Sequence, residues 1–275
     1  MTSARDARRL SQAVQGVEAA SARSLYASAP AHVVAELGVA HERVGGADCF
    51  LVRGSRHRYL NRVVGLGVRR AATDATIERI IALYRDHGAP RVTFEVTAQA
   101  RPSDLGSRLQ AHGCRATGGT GKLWRGDAPV TRTGGELPVR RVGPQRADEW
   151  LTVYGGVFRH FRNRGDWFKA PIGRPGWSHF AAFDGDAIAG IGTLFVAGGV
   201  THLVEGATLT VYRRHGIQRR IIEARVRAGL RQGVRLFTSE SAPPLPRTPL
   251  ISYRNLRRVG FELAYIRAGY RLELI

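Results

Sequence analysis

The sequence predicts an α/β (α+β) chain built as two domains that share one order of elements. A unit of helix, glycine, strand, helix, glycine, strand occurs twice. Its two helix-ending glycines are 25 residues apart in the first copy, Gly88 to Gly113, and 27 apart in the second, Gly233 to Gly260. A loose segment from Asp127 to Glu136, carrying Pro129, Thr131, Thr133, Gly134 and Gly135, separates the copies. The 275 residues, 43% of them hydrophobic, are enough for two cores, which places the domains at 1–127 and 128–275.

Residues 1 to about 40 are rich in Ala, Ser and Arg, and their apolar positions suit one or two amphipathic helices. Asp48 to Arg53 and Tyr59 to Val68 read as strands, the second loosened by Gly65 and Gly67. Thr73 is a good N-cap for a helix whose Ile77, Ile80, Ile81 and Tyr84 fall on one face. A strand at Arg91–Val96, a helix opened by Pro102 and a strand from Gly121 to Arg125 complete the first copy.

In the second copy Leu137–Val142 reads as a strand and Ala147 to Phe161 as a helix. Ser178 to Gly190 forms a strand pair around an Asp-Gly turn. Val204–Val211 is a strand, followed by a helix that runs to Gln232-Gly233. Val234–Ser239 is a strand, Ser252–Val259 a helix, and Phe261–Tyr265 and Tyr270–Ile275 close the domain as strands. Trp167, Phe168 and Trp177 flank a Pro/Gly-rich loop that suits either a pocket wall or a core plug.

Net charge is +20, and 40 of the 42 basic residues are arginine once Lys122 and Lys169 are set aside. Such a field draws polyanions. The arginines are dispersed, however, with no run of five like charges and no basic strand interleaved with aromatics, so specific nucleic-acid binding is not favoured. Two cysteines, Cys49 and Cys114, make no disulfide framework or metal-knuckle spacing, and they read as small apolar residues suited to a reducing cytoplasm. His160, His179 and His202 are not spaced as metal ligands, and no metal is expected. No apolar run reaches signal-peptide or membrane-span length, so no membrane partner is expected.

The stretch with chemistry in it is Arg213-Arg214-His215-Gly216-Ile217-Gln218, between a strand and the helix that starts with Arg219. The first N–H groups of a helix lack internal acceptors and carry the positive end of its dipole, so a basic, Gly-containing turn there can hold an anion. Gly216 permits close backbone approach. The turn lacks the Gly-Lys-Ser/Thr of a Walker loop and the three glycines of a dinucleotide fingerprint.

The turn resembles Arg-x-x-Gly-x-Gly/Ala, the pyrophosphate loop of GNAT-superfamily N-acetyltransferases, at Arg213 and Gly216, and it departs from that pattern at Gln218. Ser252-Tyr253-Arg254-Asn255-Leu256-Arg257-Arg258-Val259-Gly260-Phe261 is similar to the family's later helix and Gly-Phe corner. Residues 137–275 look like a complete GNAT domain and about 42–125 like a degenerate copy, as in tandem-GNAT bacterial acetyltransferases. The resemblance implies two tandem domains, each a mixed, largely antiparallel, splayed sheet flanked by helices. It implies acetyl-CoA as cosubstrate, with pyrophosphate at Arg213, Arg214, His215, Gly216, Ile217, Gln218 and Arg219 and pantetheine along Ala207, Thr208 and Leu209. Asn255 suits either the cofactor or a helix cap. The implied reaction is direct attack of an amine, small-molecule or protein, on the thioester. Glu205 and Glu240 are candidates for the base.

The family's thiol-protonating tyrosine falls at Leu256, which leaves Tyr253 or Tyr212 for that task, or both for packing. That departure keeps a silent acyl-CoA-binding sensor or scaffold as a second reading. The first copy, with Arg69-Arg70-Ala71-Ala72 where the turn would be, has no glycine for a second cofactor site. Neither the amine nor an oligomeric state follows from the resemblance.

Overall fold

A computed structural model describes residues 4–131, 136–158, 164–246 and 250–274. The chain divides into two compact units. Unit 1 comprises Met1–Gly121 with Ala264–Ile275, and unit 2 comprises Lys122–Leu263. The division differs from the 1–127 and 128–275 read from the linker, because the end of the chain packs in the first unit.

Unit 1 opens with helix α1 (Ala4–Ala27) and helix α2 (Ala31–Leu37). On α1 the buried positions Ser11, Val14, Gln15, Glu18 and Ala22 recur at helical spacing, so one stripe faces inward. Strand β1 (Ala40–Val44), which the sequence reading missed, pairs antiparallel with β2 (Ala47–Leu51) across Gly45-Gly46. Both glycines have positive φ, 59° and 88°, the requirement of a two-residue hairpin. Strand β3 is only Arg62–Val64, shorter than the predicted 59–68. A turn from His57 to Leu60 ends it on one side, and Gly65 at φ 83° ends it on the other.

Helix α3 (Asp74–Asp86) is capped by Thr73, whose Oγ1 accepts from Thr76 N at 3.2 Å, and it buries the four expected residues. Strand β4 (Arg91–Val96) lies parallel to β3. Helix α4 (Leu105–Ala111) and strand β5 (Arg115–Arg125) follow, and the unit boundary falls inside β5.

The last strand, β11 (Glu262–Glu273), is continuous where two pieces were expected. Its residues Ala268 to Glu273 pair antiparallel with β4, from Val96 back to Arg91. The sheet order in unit 1 is therefore β1-β2-β3-β4-β11. Tyr270, Leu272 and Leu274 pack on the core of Ile77, Ile80, Phe94 and Leu109, and that burial draws this segment to unit 1. Burial pushes the thiols of Cys49 and Cys114 up to about 12 and about 11, which fits inert core residues.

Four charged side chains, three of them buried, cluster between α1 and the sheet. Arg267 on β11 donates to Glu18 on α1 at 2.6 Å and pairs with Glu95 on β4 at 2.8 Å. Arg62 on β3 reaches the same two carboxylates at 2.9 and 3.4 Å. Two guanidiniums against two carboxylates leave the cluster neutral, as burial demands.

Unit 2 contains β6 (Val139–Val142), α5 (Ala147–Val157), α6 (Gly165–Lys169), β7 (Trp177–Asp184), β8 (Ala187–Ala197), β9 (Val200–Thr208), α7 (Ile217–Arg231), β10 (Leu236–Ser241) and α8 (Ile251–Arg258). The predicted extension of α5 to Phe161 lies partly outside the described residues. The sheet order is β10-β9-β8-β7-β6, antiparallel except for β9 with β10. Helix α7 lies close against β8 because Gly192 has no side chain, and a Cβ there would stand 2.6 Å from Ile221. The neighbouring position Thr193 faces the other side of the sheet with His179, its register partner, where Trp150 of α5 packs edge-on to the His179 ring. Trp167 and Phe168 on α6 are buried, so that pair is core.

Candidate active site

Two non-glycine residues among those described have positive φ, Glu205 at 55° and Arg214 at 70°. Such conformations cost energy and persist only where surrounding structure holds them, commonly at functional sites. Arg214 belongs to the turn the sequence singled out, and Glu205 to the strand that leads into it.

Glu205 sits in a bulge of β9. The β8–β9 register runs Ile191↔Ala207 and then Thr193↔Val204, so Glu205 and Gly206 together oppose Gly192. On its other side β9 pairs with β10 only from Val200↔Leu236 to Leu203↔Ser239. Beyond that point the two strands part. The β10-facing edge of β9 from Val204 to Thr208, which includes Ala207 and Thr208, has no strand partner among the described residues, and Leu209 N turns back to Ala189 O at 3.1 Å. An unpaired parallel edge of this kind can accept an extended ligand as an added strand.

The bulge is held by Arg225 of α7, which the sequence reading passed over as one more helical arginine. Its Nη1 donates to Thr193 O and Val204 O, both at 3.0 Å, and so satisfies carbonyls that the bulge removes from the ladder. Gly192 makes room for it, since a Cβ there would lie 2.9 Å from Arg225 Cζ. Burial pulls the Arg225 guanidinium down to about 9, against the attraction of Glu205. Arg225→Leu is expected to cost about 2 kcal/mol in urea unfolding, because buried carbonyls lose their donor. A cost within experimental error would show that water replaces the guanidinium.

Burial pushes the Glu205 carboxyl up to about 7, with the nearby Thr193 hydroxyl and Arg225 charge pulling the other way. Its Oε2 is buried and has no hydrogen-bond partner among the described residues. Tyr154, raised by burial and by the Glu205 charge, stacks with Trp150 and Phe168 beside it. Glu240 follows the paired part of β10 and forms an ion pair with Lys122, whose side chain is buried. The second base candidate is thus already engaged.

The basic turn lies directly before α7. A 3-10 turn at Thr210–Tyr212 leads into exposed Arg213, Arg214 and His215, and Gly216 at φ 70° opens α7. The first intrahelical bond is Arg220 N to Gly216 O at 3.0 Å, so the N–H groups of Ile217, Gln218 and Arg219 have no acceptor within the helix. The Gln218 side chain is drawn to α8, where it donates to Ser252 Oγ at 3.2 Å and accepts from Asn255 Nδ2 at 2.8 Å. Asn255 therefore clamps the two helices together. A long residue is accommodated where the motif has a small one because its amide is tied aside.

Tyr212 donates to Asp184 at 3.0 Å. Tyr253 is half-buried on α8, and Leu256 one turn on is buried in the core. Among the described residues no group of three or more His, Cys, Asp or Glu is placed to hold a metal ion, and no helix is long and apolar enough to cross a membrane.

No protein-family model matches the sequence, and no curated protein matches it. Solved structures do match its fold. A GCN5-related N-acetyltransferase from Kribbella flavida superposes with a TM-score of 0.62 at 16% identity, covering 91% of this chain and 94% of that one. A tandem GNAT protein from the clavulanic acid biosynthesis pathway gives 0.58 at 19% identity over 85% and 81%. A GCN5-related N-acetyltransferase from Sphaerobacter thermophilus gives 0.55 at 16% over 83% and 80%. With strands that part at a bulge and a basic turn that opens α7, the chain has the GNAT acetyltransferase fold in its tandem form.

Proposed function

We propose that this protein is an acetyl-CoA-dependent N-acetyltransferase acting on an amine, with its reaction site in unit 2. The observation that carries the reading is a parted β9–β10 edge followed by the turn at Gly216, with positive φ at Glu205 and Arg214 along the same stretch. The N–H groups of Gly216, Ile217, Gln218 and Arg219, with the guanidiniums of Arg213 and Arg214 and the His215 side chain, suit the pyrophosphate. Ala207, Thr208 and Leu209 suit the pantetheine arm as a short added strand. Bound acetyl-CoA supplies the thioester carbonyl that an amine attacks.

Glu205 is assigned as general base. Its raised carboxyl is poised to accept a proton from the attacking ammonium near neutral pH, either directly or through water. Tyr253 is assigned as the proton donor to the leaving thiolate, since the Tyr212 hydroxyl is spent on Asp184. Glu240 is assigned to neutralising Lys122. Unit 1 is read as structural, because its Arg69-Arg70-Ala71 segment offers no glycine turn.

The buried, hydroxyl-free Leu256 favours one other reading, an acyl-CoA-binding protein without turnover. Thermal unfolding with acetyl-CoA tests the shared part. At a hundred times its dissociation constant the ligand should add about 2.7 kcal/mol, and Gly216→Glu should abolish the gain. Equal gains with ATP and NADP would mean that the turn is a general anion site and would sink the assignment. Thioester cleavage across an amine panel separates enzyme from silent binder.

A further inference from the structure

Unit 2 has a second basic concavity at the far end of α7 from the Gly216 turn. It has a volume of about 610 Å³. Its wall carries Arg141 at the end of β6, Arg174 in the loop before β7, and Arg231 in the last turn of α7, with Ser178 and the buried Trp177 of β7 between them. No Asp or Glu lines it. All three arginines are exposed, and none of them has an acidic partner among the described residues. Arg174 is steadied by its own Nε, which donates to Ala170 O at 3.1 Å.

The negative end of a helix dipole would oppose an anion here, but α7 closes its last carbonyls on its own chain. Val234 N donates to Gly229 O at 3.1 Å, Gly233 N to Leu230 O at 3.0 Å, and the Gln232 side chain to Ala228 O at 3.2 Å. The charged groups that line the cavity are therefore the three guanidiniums alone. His179, whose backbone also borders the cavity, turns its ring to the opposite face of the sheet against Trp150 and adds no charge to the wall.

Three guanidiniums around a cavity of this size recognise a small molecule with two or more anionic groups, because each fork can take a carboxylate or phosphate in two parallel hydrogen bonds. We propose that this cavity is a binding site for a small polyanion, a phosphorylated sugar or a polycarboxylate, separate from the acetyl-CoA turn. The site goes beyond the acetyltransferase reading and does not depend on it.

The test is titration of tryptophan fluorescence with citrate and, separately, ribose 5-phosphate at constant ionic strength, with calorimetry in parallel. A saturable response with a dissociation constant of about 1 mM or tighter is expected for at least one probe, and which probe binds separates the carboxylate from the phosphate source. Arg141→Gln/Arg174→Gln, exposed substitutions that should leave the fold intact, is expected to weaken binding by about tenfold or more. Gly216→Glu is expected to leave it unchanged. A response that never saturates, or that persists in the double arginine variant, or that disappears with Gly216→Glu, would overturn the proposal.

Discussion

Glu205→Gln is expected to lower kcat for acetyl transfer by a factor of about 10²–10⁴, the usual worth of a positioned general base, while leaving acetyl-CoA binding within about twofold. The amide has nearly the same shape, and Arg225 rather than the carboxylate holds the bulge, so the backbone should persist. The pH dependence gives a second readout. The base must be ionised, and burial has moved its titration up to about 7. Activity should therefore rise with pH through that value, and this limb should vanish in the variant. Stability runs the opposite way. The folded protein holds the Glu205 proton more tightly than the unfolded chain, so this group favours folding less as pH climbs from the ordinary carboxylate range to about 7. If Glu205→Gln keeps near-normal turnover with its acidic limb intact, another group is the base.

The second large effect is on folding. Arg267→Met should destabilise the protein by about 3–5 kcal/mol, because it removes a guanidinium that pairs with both buried carboxylates, Glu18 and Glu95. Arg267→Met/Glu18→Leu, which restores the balance of one cation to one anion, should recover most of that loss. Hydrogen exchange along α1 and β4 is the appropriate measurement, since it reads the elements that hold Glu18 and Glu95 directly. A loss below about 1 kcal/mol would mean that water reaches the cluster and the charges never needed one another.

Where structure was encoded locally, it could be read from the sequence. The Thr73 cap and the apolar spacing of α3 lie within one window, and so does the basic turn before α7; each forms as its pattern predicts. Strand β3 was over-read because an apolar run looks extended even where glycines take positive φ. Residues 270–275 read as strand from composition, but the choice of neighbour depended on a core some 170 residues earlier in the chain. The candidate site divides the same way. Glu205 was visible as an acid beside the expected thioester position, whereas its bulge was not, since a glutamate at φ 55° carries no local signature. Arg225 was invisible because its worth comes from Gly192 on another strand, which leaves room for its head group. Lys122 had a faint signal, one of two lysines in a chain that otherwise uses arginine.

The placement of β11 has a consequence for biosynthesis. Glu18 leaves the ribosome early, and its partner Arg267 is 249 positions behind it. At about 5–20 residues per second that interval lasts roughly ten to fifty seconds. Throughout it α1 carries a carboxylate meant for burial, and β4 lacks the neighbour that 268–273 provide. Residues 122–263 are all synthesised before that neighbour arrives. The order of maturation on the ribosome is thus set against the order of translation: the portion made first is finished last, and until then its open strand edge is a natural client for chaperones.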